Sequence, residues 1–296
     1  MSSASAKGLV YSIVDVFAEA PYAGNPLAVV RSAARLDSAT MQAIARETNL
    51  SETTFVLHDA ARDGAFDVRI FTPGKELPYA GHPTLGTAWM IRDALLGGVV
   101  DEVVLRLGIG LVRVRFAADG LVWLTTPRAT FGPAPDPVAV AAALGLPPEA
   151  VDARLPMEVA TTGHHQLIVP LRDLSALRAC RIDSGAYARL QEAGAPDSFY
   201  PFALGARDPR NHVSVRLFAP AAGVPEDPAT GSAVGWLGAY LVRHRVLGAG
   251  DLDVRVEQGH EIARPSLLHV RTRGAGGALE VSVGGRVIPV ARGEWL

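Results

Sequence analysis

Arg69-Ile-Phe-Thr-Pro73 runs into Pro78-Tyr-Ala-Gly-His-Pro-Thr-Leu-Gly-Thr-Ala-Trp89, and Arg216-Leu-Phe-Ala-Pro220 runs into Pro225-Glu-Asp-Pro-Ala-Thr-Gly-Ser-Ala-Val-Gly-Trp236. The chain says the same thing twice. Each copy reads as a strand carrying R-x-F-x-P, then a Gly/Pro-rich loop, then an apolar helix of small residues. A loop-to-helix junction exposes free backbone N–H groups and the positive end of a helix dipole, which makes it a natural anion cradle. Two such junctions, one per half, point to a carboxylate-bearing small molecule held at a pseudo-twofold interface.

Working outward, residues 9–17 and 27–30 read as strands on either side of the turn cluster Pro21-Tyr-Ala-Gly-Asn-Pro26. Residues 38–48 have helical spacing, with Asp37 or Ser38 as the cap. Residues 49–57 and 66–71 read as strands, 83–96 as the first apolar helix, and 103–107, 112–116 and 121–125 as a β-meander. The proline-rich stretch 127–137 is the expected linker, and Pro147-Pro148 marks a further boundary. Beyond it, 138–144, 173–177 and 184–193 read as helices and 159–170 as a turn entering a strand. Residues 199–204 and 213–218 read as strands, 233–244 as the second apolar helix, and the chain alternates as strands from Val254 onward. A helix apolar on nearly every face must be enclosed. The expected fold is therefore α+β, with two pseudo-symmetric domains, each a curved, mostly antiparallel sheet wrapped around a central apolar helix. The expected domains are 1–126, with strand 286–296 as a candidate addition, and 127–285.

Composition agrees. A chain of 296 residues suits two domains of about 100–150 residues each. Nearly half its residues are apolar and its net charge is −2, so nothing argues for nucleic acid. Its single cysteine, Cys180, excludes an internal disulfide and a cysteine-based zinc site, and reads as buried filler. Met1-Ser-Ser-Ala-Ser-Ala-Lys7 lacks a signal-peptide core, and no apolar run reaches the roughly 20 residues of a membrane span. The expected location is the cytoplasm.

Further motifs fix a family resemblance. They are Val14-Asp-Val-Phe17, Ala23-Gly-Asn-Pro-Leu-Ala28, Asn49-Leu-Ser-Glu-Thr-Thr-Phe-Val56, Phe71-Thr-Pro73, Ala80-Gly-His-Pro-Thr-Leu-Gly86, Asp227-Pro-Ala-Thr-Gly-Ser-Ala233, Gln258-Gly259 and Arg264-Pro-Ser266. In this order, over essentially the whole chain, they resemble the PhzF-like phenazine-biosynthesis family, itself similar in fold to diaminopimelate epimerase. The resemblance implies a homodimer of two-domain subunits with the active site in the cleft between domains. Epimerases of this fold place a cysteine at the head of each central helix. The matching positions here are Ala80 and Thr230, so two-thiol chemistry is absent. The resemblance implies instead that Glu52 moves a proton within a cyclic dihydro-hydroxyanthranilate, without metal or cofactor, with His82, Asp227 and Ser232 completing the polar set.

The residues themselves support those roles while keeping alternatives open. Glu52 enters a strand with little other charge around it. A carboxyl partly buried there would have a raised pKa and could shuttle a proton, whereas a surface carboxylate would merely cap a loop. His82 precedes Pro83 at the mouth of a helix and suits either a neutral hydrogen-bonding imidazole or a loop tether. Asp227 is expected to hydrogen-bond a substrate amine or hydroxyl, with an ordinary helix cap as the competing role and Glu226 as a competing residue. Ser232, the Gly231 amide and Thr230 face a carboxylate, and Gly81 serves the opposite cradle. Asn25 is either a left-handed turn residue or part of the site lining. His164-His165 does not read as a metal pair, because adjacent strand side chains point to opposite faces. Glycine runs at 108–110 and 274–277 read as hairpin turns rather than dinucleotide loops. The sequence thus indicates a cofactor-independent isomerase. The alternatives are an amino-acid racemase or epimerase, which Glu52 and Asp227 would have to serve as opposed bases, and a non-catalytic small-molecule-binding member of the fold.

Overall fold

A computed structural model describes residues 8–162, 165–275 and 278–296. The expectations for residues 1–7, for His164 and for the glycines at 276 and 277 lie outside the described residues. The chain divides into two units, one formed by residues 1–125 and 284–296 and the other by residues 126–283.

In the first unit, strand Val10–Val16 lies between Val287–Glu294 and Asn25–Val30, antiparallel to both. Asn25–Val30 pairs in parallel with Glu52–Val56, which runs antiparallel to Phe66–Phe71. Phe66–Phe71 pairs in parallel with Glu102–Leu107, and the meander continues antiparallel through Gly110–Phe116 and Val122–Thr125. The apolar helix Gly81–Leu95 packs against strands Val10–Val16, Asn25–Val30, Glu52–Val56 and Glu102–Leu107. Its first eight residues are all buried, including Leu85 and Ala88 at 0% exposure. Burying a leucine side chain contributes roughly 1.5–3 kcal/mol, which favours enclosing the first two turns of the helix. Helix Ser38–Thr48 joins Phe55 and Phe71 through Met41, Ile44 and Ala45 in a separate core. Asp37, not Ser38, is its cap, its Oδ1 accepting from the Thr40 N–H at 2.8 Å.

The second unit repeats the pairing order. Thr130–Pro133 runs antiparallel to Glu158–Thr161, which runs antiparallel to His165–Pro170. His165–Pro170 pairs in parallel with Ser198–Leu204, which runs antiparallel to Val213–Val215. Val213–Val215 pairs in parallel with Asp253–Gln258, which runs antiparallel to Ser266–Ala275. The succession antiparallel, antiparallel, parallel, antiparallel, parallel, antiparallel is therefore the same in both units. Helix Gly231–Arg243 is buried through Val234, Trp236, Leu237, Tyr240 and Leu241. The mostly antiparallel α+β plan and its internal repeat are as the sequence indicates.

The R-x-F-x-P copies do the same local work. Each arginine lies over the phenylalanine two residues on, at 5.0 Å for Arg69 and Phe71 and 4.7 Å for Arg216 and Phe218. Each also forks onto a glutamate. Arg69 Nε and Nη2 donate to Glu76 at 2.7 and 2.6 Å, and Arg216 Nε and Nη2 to Glu226 at 2.9 and 2.7 Å.

Three expectations need correction. The 127–137 stretch is not a free linker, because Thr130–Pro133 is a strand of the second unit. It takes the place that Val287–Glu294 takes in the first unit, and its prolines flank the paired residues or end them. Residues 158–170 form two paired strands rather than a turn and one strand. The strand expected over 213–218 ends at Val215, after which Phe218 forms an isolated bridge back to Phe199.

Candidate active site

Helix Ser38–Thr48 ends on Asn49 in the left-handed conformation (φ 51°), and the chain turns directly into strand Glu52–Val56. Strand alternation then sorts the side chains. Thr53 turns back to the Thr48 hydroxyl at 2.7 Å, while Thr54 meets the Thr87 hydroxyl of helix Gly81–Leu95, also at 2.7 Å. Glu52 shares a face with Thr54, so its carboxylate lies on the helix side. Its Oε2 is 3.6 Å from Nε2 of His82, the second residue of that helix. The imidazole is almost wholly buried, and Nε2 makes no hydrogen bond among the described residues. Burial pushes its pKa down to about 3. The nearby carboxylate pulls the other way, and loss of hydration is the larger effect for a ring enclosed on all sides.

The residue missed in the sequence is Tyr79. Its hydroxyl is buried without a hydrogen-bond partner among the described residues, and burial raises its pKa. Its position just ahead of Ala80-Gly81-His82 was the available signal. Gly81 is the buried first residue of the helix. The left-handed turn residue near Asn25 is Gly24 (φ 66°), not Asn25. Asn25 instead opens its strand opposite Val16, fully buried. A side chain at Gly24 would meet the Val16 carbonyl oxygen at 2.3 Å, which is why glycine takes the strained conformation.

In the second unit, the loop from Glu226 to Thr230 delivers the chain to helix Gly231–Arg243. Glu226 is held by Arg216, whose Nη1 also donates to the carbonyls of Leu177 and Cys180 at 3.2 and 2.9 Å. This pair is buried, so both oxygens of Glu226 are engaged by Arg216. The Asp227 Oδ2 accepts the Thr230 hydroxyl at 2.5 Å. Gln258, 1% exposed, braces the loop: Nε2 donates to the Asp227 carbonyl at 2.8 Å, and Oε1 accepts from the Thr230 N–H at 3.2 Å. The Tyr200 hydroxyl donates to the same Oε1 at 3.3 Å. Gly259 follows with φ 78°, and a Cβ there would lie 2.3 Å from the Arg264 carbonyl oxygen and 2.6 Å from that of Pro228. Gly231 is buried and Ser232 half-buried in the first helical turn.

The helix heads differ from the rest in one respect. Helices starting at Ser38, Pro137, Leu174 and Ser184 are each capped by an aspartate side chain: Asp37, Asp136, Asp173 and Asp183. The two apolar helices begin after Ala80 and Thr230, with no side-chain cap and no acidic residue in the first turn. Their first N–H groups keep the capacity to bind an anion. Ala80 and Thr230, the positions matched to the epimerase cysteines, are both N-caps. Cys180 is buried elsewhere, its Sγ 3.5 Å from the Ala176 carbonyl and its pKa pushed up to about 12 by burial. Among the described residues no group of three or more His, Cys, Asp or Glu is arranged to hold a metal ion. No helix among them is long and apolar enough to cross a membrane.

Two repeated units, each with an apolar helix whose head is left uncapped, define the diaminopimelate epimerase-like class. A hydroxyproline epimerase from Agrobacterium vitis shares this fold, with a TM-score of 0.61 at 15% identity over 98% of this chain and 91% of that one. A PhzF-family phenazine biosynthesis protein of Bacillus anthracis is much more similar, with a TM-score of 0.88 at 27% identity over 98% and 99% of the two chains. In sequence the chain is 39% identical to the trans-2,3-dihydro-3-hydroxyanthranilate isomerase of Pseudomonas aeruginosa, over 95% of this chain and 98% of that one. An uncharacterized isomerase of Mesorhizobium japonicum is 35% identical over 96% and 97%. The family model for phenazine biosynthesis-like proteins, PhzC-PhzF, matches residues 14–293, and the chain belongs to that family. It is an isomerase of the PhzF type.

Proposed function

We propose that this isomerase moves a proton within a small, carboxylate-bearing cyclic substrate of the dihydro-hydroxyanthranilate kind, with Glu52 as the group that takes and returns it. The observation carrying this reading is the Glu52 carboxylate 3.6 Å from a buried imidazole at an uncapped helix head. Glu52 removes a proton from one ring carbon, the electron pair shifts through the adjoining double bonds, and the same carboxyl delivers the proton to another carbon. Atoms and electrons balance, since the product is an isomer. A neutral His82 serves both halves of the cycle. It can donate to the Glu52 carboxylate or accept from the protonated acid, without drawing the proton away at neutral pH. The 3.6 Å separation is of the kind that tightens when substrate closes the site.

The second apolar helix head carries the proposed binding groups. Asp227 takes a substrate amine or hydroxyl, while Ser232 and the Gly231 amide take the carboxylate at the head of the helix. Thr230 stands at the same cap, Gly81 lets the backbone approach from the first helix, and Asn25 lines the site. Racemisation by two opposed thiols has no support, because Ala80 and Thr230 occupy the cap positions. The proposal extends to a cytoplasmic homodimer, whose assembly sedimentation equilibrium reads directly.

The test is proton NMR of trans-2,3-dihydro-3-hydroxyanthranilate in deuterated buffer with wild type and Glu52→Gln. Conversion with solvent deuterium entering the ring, by wild type alone, is the expected result. Conversion by both proteins overturns Glu52 as the acid/base. Conversion by neither overturns the substrate assignment.

A further inference from the structure

Building on the reading of Asp227 as a substrate-binding group, we propose that Gln258 and Thr230 are positioning residues that act through it. Together they hold the Asp227 carboxylate as a hydrogen-bond acceptor, so the substrate group it receives must be a donor, an ammonium or a hydroxyl.

The direction of the relay follows from which atoms can donate. Amide nitrogen and oxygen are told apart by their partners. One end of the Gln258 amide faces the Asp227 carbonyl, which only accepts, and the other faces the Thr230 backbone N–H, which only donates. Nε2 must therefore lie toward Asp227 and Oε1 toward Thr230 N. The second Nε2 hydrogen goes to Thr230 Oγ1 at 3.1 Å. That fills an acceptor site on the hydroxyl, whose single proton has one acceptor among the described residues, Asp227 Oδ2. With Asp227 ionised, donation thus runs from Gln258 to Thr230 to Asp227.

The consequence is chemical as well as geometric. Asp227 is 8% exposed, and burial by itself favours a protonated carboxyl, which would offer its own hydrogen to the substrate. A donated hydroxyl stabilises the ionised form instead. The ionisable groups around the relay are the Tyr200 phenol, the Arg216–Glu226 pair in the same loop, and Glu257 and His260 on either side of Gln258-Gly259. Arg216 is already bound to Glu226, and His260 lies 3.2 Å from Glu257. The Thr230 hydroxyl donates to Asp227 Oδ2 directly. Gln258 is the last residue of strand Asp253–Gln258 and is 31 residues away from Asp227 in sequence.

The experiment is a double-mutant cycle on the full chain with trans-2,3-dihydro-3-hydroxyanthranilate, using Thr230→Val, Asp227→Asn and the pair together. Thr230→Val is expected to raise KM by about tenfold with kcat changed much less, the signature of lost binding. Thr230→Ser, which restores the hydroxyl, is expected to recover most of that loss. In the Asp227→Asn background Thr230→Val should add nothing, because its effect passes through the missing carboxylate. Full additivity, or a Thr230→Val enzyme with wild-type KM, overturns the relay. A second arm is independent of substrate: the Asp227 carboxyl carbon is followed by carbon-13 NMR in aspartate-labelled protein and assigned by its loss in Asp227→Asn. Its midpoint should rise by about one pH unit in Thr230→Val, and an unchanged midpoint overturns the relay. If the wild type does not convert the substrate, the functional reading fails while the titration still decides the relay.

Discussion

His82 Nε2 stands 3.6 Å from Glu52 Oε2, the imidazole at the head of a helix and the carboxylate at the head of a strand. The two residues are held together one layer deeper, where the Thr54 and Thr87 hydroxyls meet at 2.7 Å between the same two elements. The spacing of Glu52 and His82 is thus set by strand-to-helix packing rather than by the loops that carry them. Thr54→Val leaves the buried Thr87 hydroxyl without this partner and is expected to cost about 1–3 kcal/mol. Turnover should fall as well, because the Glu52-to-His82 spacing relaxes. Urea denaturation alongside kcat checks both, and unchanged kcat would show that the hydroxyl pair does not set that spacing.

Glu52→Gln removes the exchangeable proton while keeping the shape of the side chain. Turnover should drop by about a hundredfold to ten-thousandfold, the range a general acid/base group supplies. The melting temperature should stay near that of the wild type, as Glu52 is partly exposed. Retention of most of the activity would remove Glu52 from the mechanism.

His82 links stability to pH. Its folded pKa is depressed to about 3 by burial, against an ordinary 6.5. Between those values the unfolded chain binds a proton that the native chain does not. This residue's contribution to stability is therefore constant above pH 6.5 and falls as the pH is lowered toward 3. His82→Gln abolishes that dependence. Unfolding free energies at pH 7 and pH 5 should show the wild type losing more than the variant, and equal losses would mean that the imidazole charges freely in the native state.

Arg216 and Arg69 occupy equivalent places in the repeat yet should differ greatly in what they contribute. The Arg216–Glu226 pair is 4% and 9% exposed, whereas Arg69–Glu76 is 26% and 44% exposed. Arg216→Met leaves a buried carboxylate alone and should destabilise by about 3–5 kcal/mol. Arg69→Met should cost about 1 kcal/mol or less. Equal losses in denaturant titrations would contradict this account of the two copies.

Gly259→Ala tests the brace beneath Asp227. The added Cβ would sit 2.3 Å from one carbonyl oxygen and 2.6 Å from another, at a φ that side chains disfavour. The expected outcome is a destabilisation of about 1–3 kcal/mol together with a raised KM, since the Pro228 backbone must move. A stable protein with wild-type KM would show that the 227–230 loop is indifferent to this turn.

What the sequence determined by itself is the repeat, most elements within a residue or two, and the two helix heads. These features are local: the 3.6 and 2.0 periodicities, the Gly/Pro punctuation, and the cap at the start of helix Ser38–Thr48. The family motifs also put forward Glu52, His82, Asp227 and Ser232 as the candidate polar set. Only the tertiary structure separated the surroundings of Glu226 and Asp227, since Arg216 binds the first carboxylate and Gln258 braces the second residue's backbone from a distant strand. It also decided that Thr130–Pro133 is a strand and that Val287–Glu294 returns to Val10–Val16. Pairing is a contact between segments far apart in sequence, and a strand whose partner is remote carries no local mark beyond alternation. The Gln258 relay was illegible for the same reason. A glutamine's role is set by which donors and acceptors the fold brings to its two ends, and those were 28 and 31 residues away.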